Sequence, residues 1–250
     1  MIRQAACFVA TGIIILVQSS YATAETSAVA LGKEQRHKLD SVNGTKSSNV
    51  KSLREKEDAS VEQLRQKVDA KASDADIAAV FSTVRSYTKS IQAAEDGYWD
   101  SLAVFLSPSQ QAGLFLKNHP PKNALPPAAG AASPPSSPTS KPPQQYGNPP
   151  QDWKAYFGLT KDQQGKFDTA NKAKAAALKT LRETQDGAIE ALRQKVNSNA
   201  SENDIAAAFT TVKTDMKAIQ NAENSYWDTL SGFLSPTQQA KLFLKSRPKK

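Results

Sequence analysis

The stretch that decides the fold occurs twice, as YWDSLAVFLSPSQQAGLFLK at 98–117 and as YWDTLSGFLSPTQQAKLFLK at 226–245. The two copies share 15 of 20 residues and are offset by 128 positions. The same offset holds from Leu31 to Pro120 without any insertion. Repetition at a fixed period marks an architectural unit, so the chain is predicted to contain two tandem copies of one domain.

Apolar residues in each repeat recur at helical spacing, and no stretch shows the sustained alternation typical of a strand. One stripe comprises Val50, Leu53, Val61, Leu64 and Val68, matched by Leu178, Leu181, Ile189, Leu192 and Val196. A longer heptad seam runs through Ile77, Phe81, Val84, Thr88, Ile91, Glu95, Tyr98 and Leu102, matched by Ile205, Phe209, Val212, Met216, Ile219, Glu223, Tyr226 and Leu230. The pattern predicts an all-α fold.

Helix starts are marked by capping residues. Ser73 and Ser201 each precede an acidic residue by three positions, which suits the exposed amides of a helix N-terminus. Thr160 with Gln163 has the spacing of a capping box. The equivalent position of the first repeat is Gly32, which has no hydroxyl and is expected to cap more weakly.

Composition divides the chain into four parts. We predict a leader at 1–24, a first helical domain at 25–119, a linker at 120–150 and a second helical domain at 151–250. The linker holds 11 of the 14 prolines and cannot bury a core of its own. As a flexible coil its ends would lie roughly 30 Å apart, which lets the two repeats pack side by side.

The first 24 residues have the features of a secretory signal peptide. Arg3 precedes a short apolar run, and an Ala-x-Ala site ends at Ala24. We therefore expect this leader to direct export to the periplasm. Its cleavage after Ala24 would remove Cys7, the single cysteine. The apolar run is shorter than the roughly 20 residues that a spanning helix needs, so no stable membrane insertion is expected.

Positive charge is concentrated towards the C-terminus. Residues 25–119 carry 13 basic and 13 acidic side chains, whereas residues 151–250 carry 16 and 11. An exported basic protein meets anionic lipid, acidic polymers or acidic proteins more readily than nucleic acid. Nucleic acid is therefore not expected as a partner.

Four helix starts share a five-residue pattern that begins with leucine and ends with glutamine. In three of them the second residue is a capping hydroxyl residue: LTKDQ at 159–163, LSPSQ at 106–110 and LSPTQ at 234–238. In the fourth, LGKEQ at 31–35, the second residue is glycine. This pattern resembles the LTxxQ motif of the Spy and CpxP family of periplasmic proteins, in which two motifs bracket a four-helix domain. The motif residues are Leu31, Gln35, Leu106, Ser107, Gln110, Leu159, Thr160, Gln163, Leu234, Ser235 and Gln238. Only 159–163 matches literally, since Ser replaces Thr twice and Gly32 replaces it once.

The resemblance implies about four helices in each repeat and a thin, curved helical cradle. Members of that family are usually homodimers that act as ATP-independent chaperones or as stress and metal sensors. For a tandem chain this implies an intramolecular pseudo-dimer that binds unfolded or stress-damaged envelope proteins, without a cofactor. No Ser, His and acid constellation, glycine-rich phosphate loop or paired-carboxylate cleft is apparent, so the chain is not expected to be an enzyme.

Client binding would need apolar or aromatic anchors beside mobile positive charge. The candidates are Arg65, Lys67, Tyr98, Trp99, Arg193, Lys195, Tyr226 and Trp227. The basic residues could equally form a solvated helix face, and the tyrosines lie on the heptad seam and could belong to the core. Trp99 and Trp227 lie one step off the seam and could line its flank. Glu95 and Glu223 occupy seam positions, where each is expected to find a cationic or backbone partner.

The alternative function within the same family is a periplasmic metal-binding stress sensor or a heavy-metal resistance accessory protein. Metal sites need His, Cys or clustered carboxylates. The chain has only His37 and His119, and the equivalent residues of the second repeat are Gly165 and Arg247. No metal site is therefore predicted. A third alternative is an interaction protein that uses the heptad seam to bind a partner helix, although the domain's own core is the expected use of that seam.

Overall fold

The computed structural model describes residues 30–121 and 157–247. Within those ranges the chain forms six α-helices and no strand, which confirms the predicted all-α fold. They are α1 Lys33–Asp69, α2 Asp74–Ala103, α3 Pro108–Lys117, α4 Lys161–Asn197, α5 Glu202–Ser231 and α6 Pro236–Ser246. Each repeat thus contributes three described helices of the roughly four expected. The predicted leader and most of the linker lie outside the described residues.

None of these six helices is long and apolar enough to cross a membrane. Their apolar faces are narrow, and α1 buries only Val50, Val61 and Leu64 as apolar residues over 37 positions. Helices of this kind have little core of their own and depend on packing against neighbours.

Helices α1 and α2 form an antiparallel hairpin, and α4 and α5 form its counterpart. Each reverses through a residue in the left-handed region, Lys71 at φ 52° and Asn199 at φ 51°. The backbone N–H groups beyond each helix end donate back to its last carbonyls, as Ala72 does to Lys67 at 3.0 Å. Ser73 then starts α2 by accepting from the Asp76 amide at 3.2 Å, as its sequence position predicts.

The short helices α3 and α6 dock on the hairpin of the other repeat. The first mixed core combines Val61, Leu64, Ile77, Phe81 and Val84 with Ala240, Phe243 and Leu244. The second mixed core combines Leu192, Ile205, Phe209 and Val212 with Ala112, Phe115 and Leu116. Both mixed cores lie near the turn of a hairpin, and each contains side chains from both repeats.

Helix length explains why the short helices cross over. The surface that α3 would need on its own hairpin lies around Phe81, some 21 residues before Leu102 on the same helix. At 1.5 Å per residue that separation is about 30 Å, whereas the ten residues of α3 extend about 15 Å. Since α3 begins just after α2 ends, it cannot reach that surface. Its apolar face must be covered by another hairpin.

Polar contacts between the repeats are also reciprocal. Arg85 of α2 forms an ion pair with Asp228 of α5 at 2.6 Å, and Lys213 of α5 forms the equivalent pair with Asp100 of α2 at 3.4 Å. These contacts place α2 and α5 antiparallel to each other.

The N-termini of the short helices are held in the same reciprocal way. The backbone amide and hydroxyl of Ser109 donate to Glu202, and those of Thr237 donate to Asp74. In each case a carboxylate at the start of one long helix holds the start of a short helix from the other repeat.

Candidate functional site

The leucines of the four motifs are buried. Leu31 and Leu106 pack with Leu102 at one end of the first hairpin. Leu159 and Leu234 pack in the same way with Leu230, together with Phe157, Phe167 and Ala170. The motif leucines therefore bring the start of each long hairpin helix next to the start of the short helix.

The hydroxyl groups of the motifs act as helix caps. The side chains of Ser107, Thr160 and Ser235 accept from the amides of Gln110, Gln163 and Gln238, at 3.3, 3.2 and 3.3 Å. Gly32 has no side chain to do this, as expected from the sequence. Its backbone N–H still donates to Gln35 Oε1 at 3.0 Å, so the first motif keeps half of the reciprocal cap.

The motif glutamines pair with each other in each repeat. Gln163 Nε2 donates to Gln238 Oε1 at 3.1 Å, and Gln238 Nε2 donates to Gln163 Oε1 at 3.1 Å. Gln35 and Gln110 form the same reciprocal amide pair at 3.0 and 3.2 Å. We call each of these two pairs a glutamine clasp.

Each clasp also ties together backbone that is far apart in sequence. Gln163 Nε2 donates to the Phe233 carbonyl at 2.8 Å, and Gln238 Nε2 donates to the Gly158 carbonyl at 2.8 Å. The amide oxygens simultaneously accept from the backbone of the two N-cap residues. Because so many polar groups depend on one amide pair, the structure gives the motif glutamines an architectural role.

Replacing Gln163 with alanine is expected to lower the free energy of unfolding by about 1–2 kcal/mol. The change removes the side-chain half of the reciprocal cap of α4 and deprives the Thr160 N–H and the Phe233 carbonyl of the Gln163 amide. The Gln238 amide loses both of its hydrogen bonds to Gln163. Chemical denaturation followed by circular dichroism measures the effect. Gln194→Ala, at an exposed position of the same helix, is the matched control and should change the unfolding free energy by less than about 0.5 kcal/mol.

The two candidate tryptophans lie at the repeat junction, the region in which the two mixed cores join the repeats. The Trp99 ring lies 5.6 Å from Phe115 and 5.2 Å from Phe209, edge-on to both. The Trp227 ring has equivalent contacts with Phe81 and Phe243. Both tryptophans are half-buried, so each has one part in a mixed core and another part facing solvent.

The candidate tyrosines belong to a polar cluster that occurs in both repeats. Each cluster contains an asparagine, a lysine, an arginine, a glutamate and a tyrosine: Asn43, Lys46, Arg54, Glu95 and Tyr98, and Asn171, Lys174, Arg182, Glu223 and Tyr226. The tyrosine hydroxyls donate to the asparagine side chains at 2.8 and 2.6 Å. We call these two sets the tyrosine clusters. All five residue types are identical between the repeats.

The lysine of each tyrosine cluster lies over the tyrosine ring. Lys46 Nζ is 4.0 Å from the Tyr98 ring centroid, and Lys174 Nζ is 4.2 Å from that of Tyr226. Burial lowers the pKa of both lysines, and Glu95 and Glu223 act in the opposite direction. Glu95 also lies 3.8 Å from Arg54, so this seam carboxylate has the cationic partner expected from the sequence.

Burial raises the pKa of Tyr98 and raises the pKa of Tyr226 to about 12. The folded protein therefore holds the Tyr226 proton more tightly than the unfolded chain does. The resulting stabilisation is fully present below pH 10 and is lost as the pH rises from 10 towards 12. We expect the ultraviolet absorbance of the phenolate to show a late titration step near pH 12. That step should disappear in Tyr226→Phe and remain in Tyr87→Phe.

The basic candidates lie near the hairpin turns. Arg65 and Arg193 are half-buried and approach Glu62 and Glu190 at 3.4 Å on their own helices. Arg193 also donates to the carbonyl of His119, two residues after the end of the docked α3, at 2.7 Å. Lys67 and Lys195 are exposed. The two arginines thus support local packing, while the two lysines are available to a partner.

Large apolar side chains are well covered in the part of the chain that the structure describes. Val104 is the one such residue that is largely exposed, at 86%. The partly buried aromatic residues at the repeat junction are therefore among the apolar side chains that a client could touch.

Neither histidine belongs to a cluster of metal ligands. In the described ranges, no group of three or more His, Cys, Asp or Glu residues is placed to hold a metal ion. His37 is exposed on α1, whereas the His119 ring stacks on Phe115 with a centroid distance of 4.0 Å.

Sequence reasoning identified the caps but missed the clasps and the exchange of the short helices. The spacing of Gln163 from Thr160 indicates a cap within one motif and contains no sign that Gln163 also binds Gln238. The sequence feature that could have indicated the clasps is that both glutamines are present in both repeats. Comparison of the chain with protein-family models, curated proteins and solved structures gave no match.

Proposed function

We propose that the chain is a periplasmic, ATP-independent chaperone of the Spy and CpxP kind, which binds unfolded or stress-damaged envelope proteins and is not an enzyme. The observation that carries the proposal is the pair of glutamine clasps. In each repeat, the two LTxxQ-like motifs that resemble those of the family meet and close one end of a helical hairpin. The motifs therefore work together, as expected of paired signatures of one domain type.

The surface chemistry supports a role in loose binding. Lys67 and Lys195 are exposed at equivalent places in the two repeats, and half-buried Trp99 and Trp227 lie at the junction between repeats. An unfolded client offers apolar side chains and, in many sequences, acidic ones. Long lysine side chains and partly covered aromatic rings can contact both without a deep pocket. The same arrangement in both repeats gives a client two similar surfaces on one molecule.

An aggregation assay tests the proposal. The chain beginning at Glu25 is added at an equal molar amount to a chemically denatured client that is diluted into buffer, and light scattering is followed. Slower or weaker aggregation is expected for several unrelated clients, with no nucleotide present. Absence of any effect across these clients would overturn the chaperone proposal.

Charge-reversal variants locate the binding surface. Lys67→Glu with Lys195→Glu should weaken the suppression of aggregation, since both lysines are exposed candidates for client contact. Lys51→Glu with Lys179→Glu is the matched control, because these lysines are also exposed, lie on the same two helices and are identical between repeats. Equal loss in both double variants would show a general effect of net charge and would contradict a local client site.

A further inference from the structure

The two docking surfaces for the short helices have nearly the same apolar residues. Ile77, Phe81 and Val84 receive α6, and their identical counterparts Ile205, Phe209 and Val212 receive α3. The apolar residues of the short helices are also identical in the two repeats. Apolar packing therefore gives a hairpin no means of distinguishing α3 from α6.

The ion pairs between α2 and α5 do not distinguish the repeats either. Arg85 and Lys213 are both basic, and their partners Asp228 and Asp100 are both aspartate. The same holds for the carboxylates that hold the short helices, Asp74 and Glu202. If a hairpin met its own copy in a second chain, all of these contacts could form again.

One buried ion pair lies beside the first mixed core and has no equivalent beside the second. Arg247, at the end of α6, donates to Glu57 of α1 at 2.9 Å, and the Thr88 hydroxyl donates to the same carboxylate oxygen at 2.6 Å. The Glu57 side chain is 10% exposed and that of Arg247 is 21% exposed. Beside the second mixed core, Gln185 stands in place of Glu57, Met216 in place of Thr88 and His119 in place of Arg247.

His119 and Arg247, which follow the ends of α3 and α6, are equivalent in space as well as in sequence. His119 stacks on Phe115 at 4.0 Å, and the Arg247 guanidinium lies 4.6 Å from the Phe243 ring. If α3 docked on the first hairpin, His119 would therefore take the place of Arg247 beside Glu57. A buried carboxylate that loses its arginine is strongly destabilising.

We propose that the Glu57 and Arg247 ion pair determines which repeat each hairpin accepts, so that the first repeat pairs with the second and not with its own copy in another chain. Because α3 and α6 cannot reach their own hairpins, each short helix can dock either on the other repeat of the same chain or on a second chain. The linker makes the partner repeat of the same chain available at a high effective concentration, about millimolar. The ion pair and the linker together keep the molecule a single-chain pseudo-dimer.

Moving the arginine from one short helix to the other tests this proposal. In the full chain from Glu25, His119→Arg combined with Arg247→His leaves Glu57 in place but puts its cationic partner on α3. Pairing of first repeats from two chains then satisfies Glu57, and light scattering after size exclusion should shift from the mass of one chain to that of two chains or more. The unchanged protein should remain a single chain.

A compensating variant provides the matched control. Adding Glu57→Gln and Gln185→Glu to the same double variant transfers the whole ion pair to the other junction, where it again joins unlike repeats. This quadruple variant should return to the mass of one chain, with the helical content of the unchanged protein by circular dichroism. If the double variant fails to fold, recovery of folding and of the single-chain mass in the quadruple variant supports the proposal.

Two results would overturn the proposal. One is a double variant that stays folded with the mass of a single chain, since the displaced arginine would then have no effect on partner choice. The other is a quadruple variant that associates or unfolds as much as the double variant does.

Discussion

Replacing Phe115 with alanine is expected to lower the free energy of unfolding by about 3–5 kcal/mol. Phe115 is fully buried, and its ring packs edge-on against Trp99 and Phe209. Although it belongs to α3 of the first repeat, most of its core neighbours come from the second repeat. Its removal should therefore weaken the joint between the repeats together with the core.

Urea denaturation of Phe115→Ala, followed by circular dichroism, measures this effect. Val104→Ala is the control, because Val104 lies a few residues earlier in the chain and is 86% exposed. That variant should change the unfolding free energy by less than about 0.5 kcal/mol. A similar small change in Phe115→Ala would show that α3 does not dock on the second hairpin.

Replacing Trp227 with alanine should lower the free energy of unfolding by about 2–3 kcal/mol. This loss is smaller than that expected for a fully buried tryptophan, because part of the ring is exposed. The indole contacts Phe81 and Phe243 of one mixed core and also packs with the leucines around Leu234. Its loss would leave space beside both groups of side chains. The measurement is again denaturation followed by circular dichroism.

The same variant separates the two roles considered for Trp227, core packing and client contact. Trp227→Phe keeps an aromatic ring at the junction and should lose less than about 1.5 kcal/mol. If Trp227→Ala unfolds at the same denaturant concentration as the unchanged protein but suppresses aggregation poorly, the ring acts mainly on clients. A large loss of stability would place it in the core.

Local features of the fold could be predicted from the sequence because they depend on nearby residues. Ser73, Thr160 and Ser235 cap helices where their spacing from an acidic or amide side chain indicated. The heptad positions Ile77 and Phe81 are buried, as their spacing predicts. Periodicity shows which face of a helix is covered, and capping residues show where that helix begins.

The exchange of short helices could not be predicted in this way. The two repeats have nearly the same apolar pattern, so the burial of Phe115 is predicted equally well whether it packs on its own hairpin or on the other. Helix lengths decide between these arrangements, and they became known only with the bounds of α2 and α3. Arg247 and Glu57 are 190 positions apart, and no local pattern connects them.

The candidate site was predicted in part. The motif residues meet in two clasps, a relation that depends on packing at one end of each hairpin. Trp99 and Trp227 lie at a junction between repeats that becomes visible only when the two halves are placed together. Client binding stays a prediction, since it depends on a partner that the chain alone does not specify.

Cross-linking of paired cysteines tests most directly whether the two repeats complete each other. The chain from Glu25 contains no cysteine, so Asp74→Cys with Thr237→Cys introduces a single pair at a contact between the repeats. A short thiol cross-linker should join the two cysteines within one chain, as seen by mass spectrometry of the digested product. Glu202→Cys with Thr237→Cys should give no such product, and efficient cross-linking of that pair within one chain would contradict the exchange of α3 and α6.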